Sequence, residues 1–309
     1  MHFRQLDLNL LVALDALLTE LNITEAGRRV HLTQSAMSGA LARLREYFDD
    51  ELLVQVGRKM VPTPLANSLS ESVREILQKI KSTIATKGDF DPAKSTRRFS
   101  LLMSDYVSTV LMNRVLVEAE RVAPHVTFEV ISNDMGSPYE VLERADVDFL
   151  LMPPDYLSRS HPSELLFQDD YACVVWADNP LVGDSISTQQ YLELGHVVLQ
   201  FGRRSPAIDE FFLNHLGVNR RIEVVAMNFN AIPQCIVGTH RIATVQLRLA
   251  QFYAKYLPLR LVPPPFDIPP LRESMQWHTV FDQDPGSIWL RGLLKDSAQS
   301  VESAPVALK

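Results

Sequence analysis

Residues 24–38 read Thr24-Glu25-Ala26-Gly27-Arg28-Arg29-Val30-His31-Leu32-Thr33-Gln34-Ser35-Ala36-Met37-Ser38. Thr24 and Thr33 each stand where a helix would begin, because a threonine oxygen can accept a hydrogen bond from a backbone N–H of the first turn. After Thr33, the apolar residues Met37, Leu41 and Leu44 recur at helical spacing and predict a buried face. Two short helices joined by a tight turn, with small residues at their crossing, are typical of a helix-turn-helix.

The flanks of this stretch complete a winged unit. Leu10, Leu14 and Leu17 fall on one face of an earlier helix that opens near Asp7. Residues 52–61 have the pattern of a short β-hairpin, which prolines then end. We therefore expect a winged helix-turn-helix domain over residues 1–63.

One long amphipathic helix is predicted over residues 64–89. Its apolar residues are spaced by four, three and four positions, which is the seam of a coiled coil, at Leu69, Val73, Ile76 and Ile80. A partner helix would cover this seam and make the segment a dimerisation helix. The alternative is that the seam packs on its own domain.

Beyond residue 95 the pattern changes to alternating strands and helices. This alternation predicts a parallel α/β sheet over residues 90–309, with strands at 98–103, 126–131, 147–151, 171–176, 197–199, 221–225 and 241–245. Residues 275–295 add one more strand and a helix. The predicted fold class is therefore α+β multidomain.

The amino-acid composition is typical of a globular protein with more than one domain. The 309 residues are 46 % hydrophobic and have a net charge of −7, which suits two or three globular units. Two cysteines, Cys173 and Cys235, are too few for a disulfide framework and favour a reducing, cytoplasmic setting. The sequence predicts no secretory leader and no membrane-spanning segment.

Charge is distributed unevenly along the chain. Residues 1–88 hold 11 basic and 10 acidic side chains, whereas the remainder holds 19 and 27. Between residues 26 and 45 there is no acid, and four arginines stand at Arg28, Arg29, Arg43 and Arg45. Such a local positive stripe is typical of phosphate contact, and its alternative is an ordinary solvated helix face.

The sequence argues against an enzyme. It lacks the Gly-x-Ser-x-Gly elbow of hydrolases, the phosphate-binding P-loop and the dinucleotide-binding glycine pattern. The histidines form no His-x-x-x-His pair, so we predict no metal site. We predict no catalytic residues and no cofactor.

Residues 6–11, 33–38 and 62–64 together resemble the LysR-type transcriptional regulators. The resemblance covers nearly the whole chain and is strongest to the branch of nodulation-protein-D activators and salicylate or nitroaromatic regulators, through residues 147–150, 195–197, 220–225, 248–250 and 288–291. It implies a dimer, and usually a tetramer, that binds promoter DNA and acts on RNA polymerase. It also implies a bacterial regulator without a role at the membrane.

The resemblance implies that the third helix enters the major groove. Its exposed end carries Thr33, Gln34, Ser35 and Ser38, and the side chains suited to phosphates are Arg43, Arg45 and the wing residue Arg58. The family commonly has proline at position 35 and often a basic or polar residue at position 39, where this chain has serine and glycine. For Thr33 the alternative role is capping alone.

The resemblance also implies a C-terminal effector domain with two α/β lobes, like periplasmic solute-binding proteins. Lobe I would span about 95–163 and 270–298, and lobe II about 164–268. Because ligands bind at the carboxyl ends of such strands, the expected wall is Ser104, Asp105, Met152, Pro153, Phe201, Gly202, Arg203, Asn228, Phe229 and Arg248. Aromatic surfaces with an arginine suit a planar aromatic ligand, although these apolar residues also suit a plain core and Arg248 also suits an ion pair.

These observations predict an activator that responds to a small aromatic inducer and controls genes of aromatic-compound degradation. The alternative is a flavonoid-responsive activator of nodulation genes. A solute-binding protein without a DNA role is a remote third reading.

Overall fold

The structure is a computed structural model that describes residues 7–57, 59–85, 90–132, 137–201, 205–206 and 220–302. The chain divides into two compact units, residues 1–88 and residues 89–309. In the described ranges no helix has both the length and the apolar character needed to cross a lipid bilayer.

The N-terminal unit consists of four helices and a β-hairpin around one core. Its elements are α1 (Leu8–Glu20), α2 (Ile23–Arg29), α3 (Gln34–Phe48), β1 (Leu53–Val56), β2 (Lys59–Pro62) and α4 (Pro64–Ala85). Leu14 and Leu17 of α1 meet Met37 and Leu44 of α3 in this core, and all four are completely buried. The predicted winged helix-turn-helix is confirmed.

Helix α2 begins differently from the prediction. The side chain of Asn22 accepts from the backbone N–H groups of Thr24 and Glu25, at 2.9 and 3.2 Å. Asparagine is a strong N-cap residue, and here it precedes Thr24. The helix therefore starts at Ile23, and the prediction of a Thr24 cap is wrong.

Gly27 allows the close approach of α2 and the turn that follows it. The Leu32 N–H donates to the Gly27 carbonyl oxygen at 2.8 Å. A Cβ atom at position 27 would lie 2.8 Å from the Leu32 carbonyl oxygen, which no side chain tolerates. The crossing therefore depends on this glycine.

The C-terminal unit has two lobes, each built on a mixed sheet. Lobe I contains β3 (Arg98–Met103), α5 (Asp105–Val107), α6 (Asn113–Val122), β4 (Thr127–Ile131), α7 (Pro138–Glu143), β5 (Phe149–Met152), β6 (Ser163–Asp169), β13 (Leu271–Trp277) and α11 (Pro285–Glu302). Its strand order is β4-β3-β5-β13-β6, with β13 antiparallel to both neighbours.

Lobe II contains β7 (Tyr171–Trp176), α8 (Thr188–Glu193), β8 (Gly195–Phe201), β9 (Ser205–Pro206), β10 (Arg221–Ala226), α9 (Ile232–Ile236), β11 (Ile242–Gln246), α10 (Leu247–Ala254) and β12 (Leu259–Val262). Its main order is β10-β8-β11-β7-β12, and β9 pairs with β8. β8 is parallel to β10, whereas β7 is antiparallel to β11 and β12.

Two details of the C-terminal prediction need correction. The sheets are mixed rather than parallel, because the chain crosses between the lobes twice and returns in the opposite direction. In addition, β6 pairs with β13, with Asp169 opposite Leu271. The first crossing therefore lies at residue 170 and not at residue 164, so that β6 belongs to lobe I.

Candidate nucleic-acid interface and effector site

The beginning of α3 is an exposed polar surface. Thr33 caps the helix: its Oγ1 accepts from the N–H of Ala36 at 3.2 Å and lies 3.0 Å from Oγ of Ser35. Gln34 and Ser35 are exposed, and Ser38 is half-exposed. The Gln34 amide carries a donor and an acceptor, the pair that an adenine edge presents in reverse in the major groove.

The predicted positive stripe is partly neutralised. Arg28 pairs with Glu25 at 2.6 Å and Arg29 pairs with Glu20 at 3.1 Å. Both acids lie outside the acid-free segment that suggested the stripe. Arg43, on α3, is exposed, and it keeps the position expected of a phosphate contact.

Arg45 makes protein contacts that the sequence did not predict. Its guanidinium donates to the carbonyl oxygens of Glu51 and Leu53, both at 2.8 Å, and lies 3.1 Å from the Glu51 carboxylate. These groups form the base of the wing, so the arginine has protein partners there, and its contact with phosphate stays a prediction. The wing residue Arg58 lies outside the described residues.

The seam of α4 is divided between two environments. Val73 is 3 % exposed and Leu69 is half-buried, and both pack in the N-terminal core. For these two residues the prediction of a partner helix gives way to the alternative of packing on their own domain. Ile76 is 46 % exposed and Ile80 is half-buried, so the later part of the seam keeps an open apolar face.

Asp105 joins the two lobes. Its carboxylate accepts from the N–H of Phe229 at 3.2 Å and from the N–H of Asn230 at 2.7 Å. The hydroxyl of Thr109 also donates to the Asn230 side chain at 3.1 Å. The structure therefore brings together the end of β3 and the segment after β10, as predicted from the strand ends.

Other predicted wall residues shape the same junction. Ser104 caps α5 by accepting from the Val107 N–H at 3.2 Å, and Asn228 accepts from the Ala231 N–H at 2.9 Å. The Phe229 ring is 8 % exposed and lies edge-on to the Tyr106 ring, with centroids 6.1 Å apart. These side chains hold the junction in place through their own contacts.

The other residues predicted for the wall of the effector site differ in burial, and some of them are not described. Met152 is buried in a small cluster with Leu102 and Leu142, as its alternative role in the core implies, and its contact with a ligand stays a prediction. Pro153 is half-exposed. The backbone of Phe201 ends β8, its side chain is not described, and Gly202 and Arg203 lie outside the described residues.

Arg248 stands at a buried group that sequence reasoning missed. Its Nε lies 3.6 Å from Asp169, and its backbone N–H donates to that carboxylate at 3.2 Å. The Tyr106 hydroxyl donates to the same carboxylate at 2.7 Å. Arg248 thus pairs with an acid at the lobe crossing, as the alternative proposed, rather than standing open to a ligand.

Glu273 completes this group. Burial raises the pKa of Glu273 to about 8, with the nearby Asp169 charge as a further cause. Burial likewise raises the pKa of Asp169 to about 6, against the opposing hydrogen bond from Tyr106. The sequence signal was weak, because a single glutamate in a strand usually faces solvent; only its position beside a lobe crossing could have pointed to it.

Glu143, His161 and His278 meet in lobe I, with ligand atoms within 4.8 Å of one another. The two carboxylate oxygens lie 3.0 Å from Nε2 of His161 and 3.9 Å from Nε2 of His278. However, the N–H groups of Thr279 and Val280 donate to the two Nδ1 atoms, at 3.4 and 3.1 Å. A neutral ring that accepts at Nδ1 carries its proton on Nε2, so these rings present N–H groups to the carboxylate rather than lone pairs to a metal.

Family models match both units. The model of the bacterial regulatory helix-turn-helix protein, lysR family, matches residues 8–67, and that of the LysR substrate binding domain matches residues 93–299. The chain belongs to the LysR family. This confirms the predicted resemblance, and the family is one of transcriptional regulators rather than enzymes.

Individual relatives agree with this assignment. Nodulation protein D 2 of Rhizobium tropici is 44 % identical over 313 residues, covering 100 % of this chain and 98 % of the relative. The crystal structure of the probable transcriptional regulator PA0477 from Pseudomonas aeruginosa has a TM-score of 0.66 and 28 % identity, over 95 % of this chain and 97 % of the other.

CbnR, a LysR family transcriptional regulator, was solved at full length in complex with its target DNA. It shares the fold, with a TM-score of 0.52 and 14 % identity over 95 % of this chain and 100 % of its own. The match to the LysR substrate binding domain indicates a small-molecule effector.

Proposed function

We propose that this LysR protein is a transcriptional activator of the nodulation-protein-D type that responds to a flavonoid-like effector. The observation that carries the proposal is the exposed polar start of α3 in a chain that is 44 % identical to a nodulation protein D over its full length. Control of aromatic degradation was the first expectation from the sequence. The full-length relative supports the nodulation alternative, which we therefore adopt.

In this proposal α3 lies in the major groove. Gln34, Ser35 and Ser38 contact base edges, because they form the exposed polar face at the beginning of the helix. Arg43 contacts phosphate and fixes the register of the helix on the duplex without reading sequence. Thr33 holds the first turn of α3 in shape.

A second subunit is part of the proposal. Two α3 helices must be spaced about one turn of DNA apart to read a two-fold related site. We assign the dimer contact to the open part of the α4 seam, at Ile76 and Ile80. Association of two dimers into a tetramer and contact with RNA polymerase complete the proposed activator.

The effector is proposed to bind between the lobes. Asp105 and Phe229 come from different lobes and meet at one junction, where an aromatic ring and polar groups are close together. Such a mixture suits a planar phenolic compound. Arg203 stays a prediction for holding an acidic group of the effector.

Two measurements on the purified full-length chain test the proposal. Binding to DNA from upstream of a nodulation operon should be tighter than binding to shuffled DNA and should weaken steeply with salt. In a thermal-shift panel, a flavonoid should raise the melting temperature more than salicylate or a nitrophenol does. Equal affinity for both DNAs would contradict the DNA role, and a response to salicylate alone would restore the aromatic-degradation reading.

A further inference from the structure

Three side chains connect the end of α3, the base of the wing and the start of α4. We call these three residues the brace: Arg45, Asp50 and Thr63. Arg45 reaches from the last turns of α3 to the carbonyl oxygens of Glu51 and Leu53, each at 2.8 Å. The last of these residues begins β1, so the arginine joins the reading helix to the first wing strand.

Asp50 is the centre of the brace. One of its oxygens, Oδ1, accepts from the N–H of Leu52 and from the hydroxyl of Thr63, both at 2.6 Å. Leu52 has a left-handed backbone with φ of 57°, and its carbonyl oxygen accepts from the Thr63 N–H at 2.9 Å. The turn that enters the wing is therefore tied to the residue that leaves it.

Thr63 extends the connection to the linker helix. While its hydroxyl donates to Asp50, its oxygen accepts from the N–H of Ala66 at 3.1 Å. This is an N-cap bond for α4. One threonine hydroxyl thus serves the wing and the linker helix at the same time.

Apolar contacts fix the wing at two places, its base and Met60 of β2, which packs against the core of the N-terminal unit. β1 and β2 pair over four residues each, and an isolated two-stranded hairpin is marginally stable in water. Leu52 and Leu53 are completely buried at its base, whereas residues 54–56 are exposed. The orientation of the hairpin relative to α3 is therefore set by these apolar contacts together with the polar contacts of the brace at its base.

We propose that Arg45, Asp50 and Thr63 are positioning residues for DNA binding. They hold the wing at a fixed angle to α3, so that the wing cations and the reading helix reach the duplex together. The inference rests on the proposed DNA role, and it gives Arg45 an action through the wing in place of a phosphate contact.

A double-mutant cycle tests this inference by operator affinity. The wing cations are removed by Arg58→Ala with Lys59→Ala, in the unsubstituted chain and in the Thr63→Val and Thr63→Ser backgrounds. Thr63→Val keeps the shape of the side chain but loses the hydroxyl, whereas Thr63→Ser keeps the hydroxyl. Removing the wing cations should weaken binding about tenfold in the unsubstituted and Ser chains, and less than about twofold in the Val chain.

Other outcomes count against the inference. Equal losses in all three backgrounds, or no loss in the unsubstituted chain, would overturn it. If Thr63→Val melts well below the unsubstituted chain, Arg45→Met replaces it in the cycle, because Met keeps much of the length of the side chain but cannot donate to the carbonyl oxygens of Glu51 and Leu53. Failure of the unsubstituted chain to prefer its operator would instead count against the proposed function.

Discussion

Glu273 shows how far one side chain can depart from its usual behaviour. The residue is 2 % exposed, and burial raises its pKa to about 8. At neutral pH it is therefore protonated in the folded protein, although it ionises near pH 4.5 when the chain unfolds. This difference links the stability of the C-terminal unit to pH.

The raised pKa of Glu273 makes the folded protein less stable as pH rises. Between the unfolded and the folded pKa, the folded state holds one more proton, so the free energy of unfolding falls by about 1.4 kcal/mol per pH unit as pH rises. Glu273→Gln mimics the neutral acid, so this variant should lack the contribution of Glu273 to the slope between about pH 5 and pH 8. At pH 8 the variant should be more stable than the unsubstituted chain. Urea unfolding followed by tryptophan fluorescence measures the free energy of unfolding of this unit, because Trp176, Trp277 and Trp289 all lie in the C-terminal unit. Parallel pH profiles for the two proteins would contradict the assignment.

The sequence predicts which residues of α3 are exposed, but it does not predict the partners of the arginines. The exposure of Gln34 and Ser35 could be predicted, because helical spacing fixes which face of α3 is apolar. The partners of Arg45 and Arg248 could not be predicted, because tertiary structure brings them close. For Arg45 they are backbone carbonyls, and for Arg248 the partner is an acid 79 positions away. A basic residue near a predicted site can serve the ligand or the scaffold, and its spacing in the sequence is the same in both cases.

Helix α4 has a regular apolar seam that lies in two environments. Regular spacing predicted the helix and the seam, since both depend on local periodicity. It could not predict that Leu69 and Val73 pack in the core of their own unit whereas Ile76 stays exposed. The boundary error at β6 has the same origin, because a strand's residues do not specify which sheet it joins.

The divided seam predicts different effects of neighbouring substitutions. Ile76→Asp should abolish dimerisation while leaving the fold of the N-terminal unit intact, because it places a charge on an exposed apolar face. Val73→Ala should instead destabilise the unit by about 1 to 2 kcal/mol through loss of buried methyl groups. Sedimentation velocity and thermal melting separate the two effects, with Asn67→Asp as an exposed control elsewhere on α4. A dimer that survives Ile76→Asp would remove α4 from the interface.

At the scale of the whole molecule, the two lobes of the C-terminal unit are joined by carboxylates as well as by chain crossings. Asp169 lies beside one crossing and meets Arg248 of lobe II. Asp105 lies elsewhere in lobe I and accepts from two backbone N–H groups of lobe II. The relative position of the lobes therefore depends on acids that sequence analysis had assigned, in part, to the ligand.

Removing the Asp105 contact should loosen the junction. Hydrogen bonds to a charged acceptor contribute about 1.5 to 3 kcal/mol, so Asp105→Ala should accelerate amide hydrogen exchange at Phe229 and Asn230 by at least about tenfold. Asp105→Asn keeps one acceptor oxygen and should give an intermediate rate. Exchange rates at these two amides that do not change would show that the contact does not hold the lobes in solution.

We propose that the start of α3 reads promoter DNA, and the ratio of operator affinity to shuffled-DNA affinity tests this proposal. The unsubstituted chain, Gln34→Ala and the exposed control Asn67→Ala are compared at one fixed salt concentration. Loss of a two-bond contact to one base costs about 1 to 3 kcal/mol of discrimination. The ratio should therefore fall at least about fivefold in Gln34→Ala, while shuffled-DNA affinity and the control stay unchanged. An equal loss of affinity for both DNAs in Gln34→Ala would contradict the proposal.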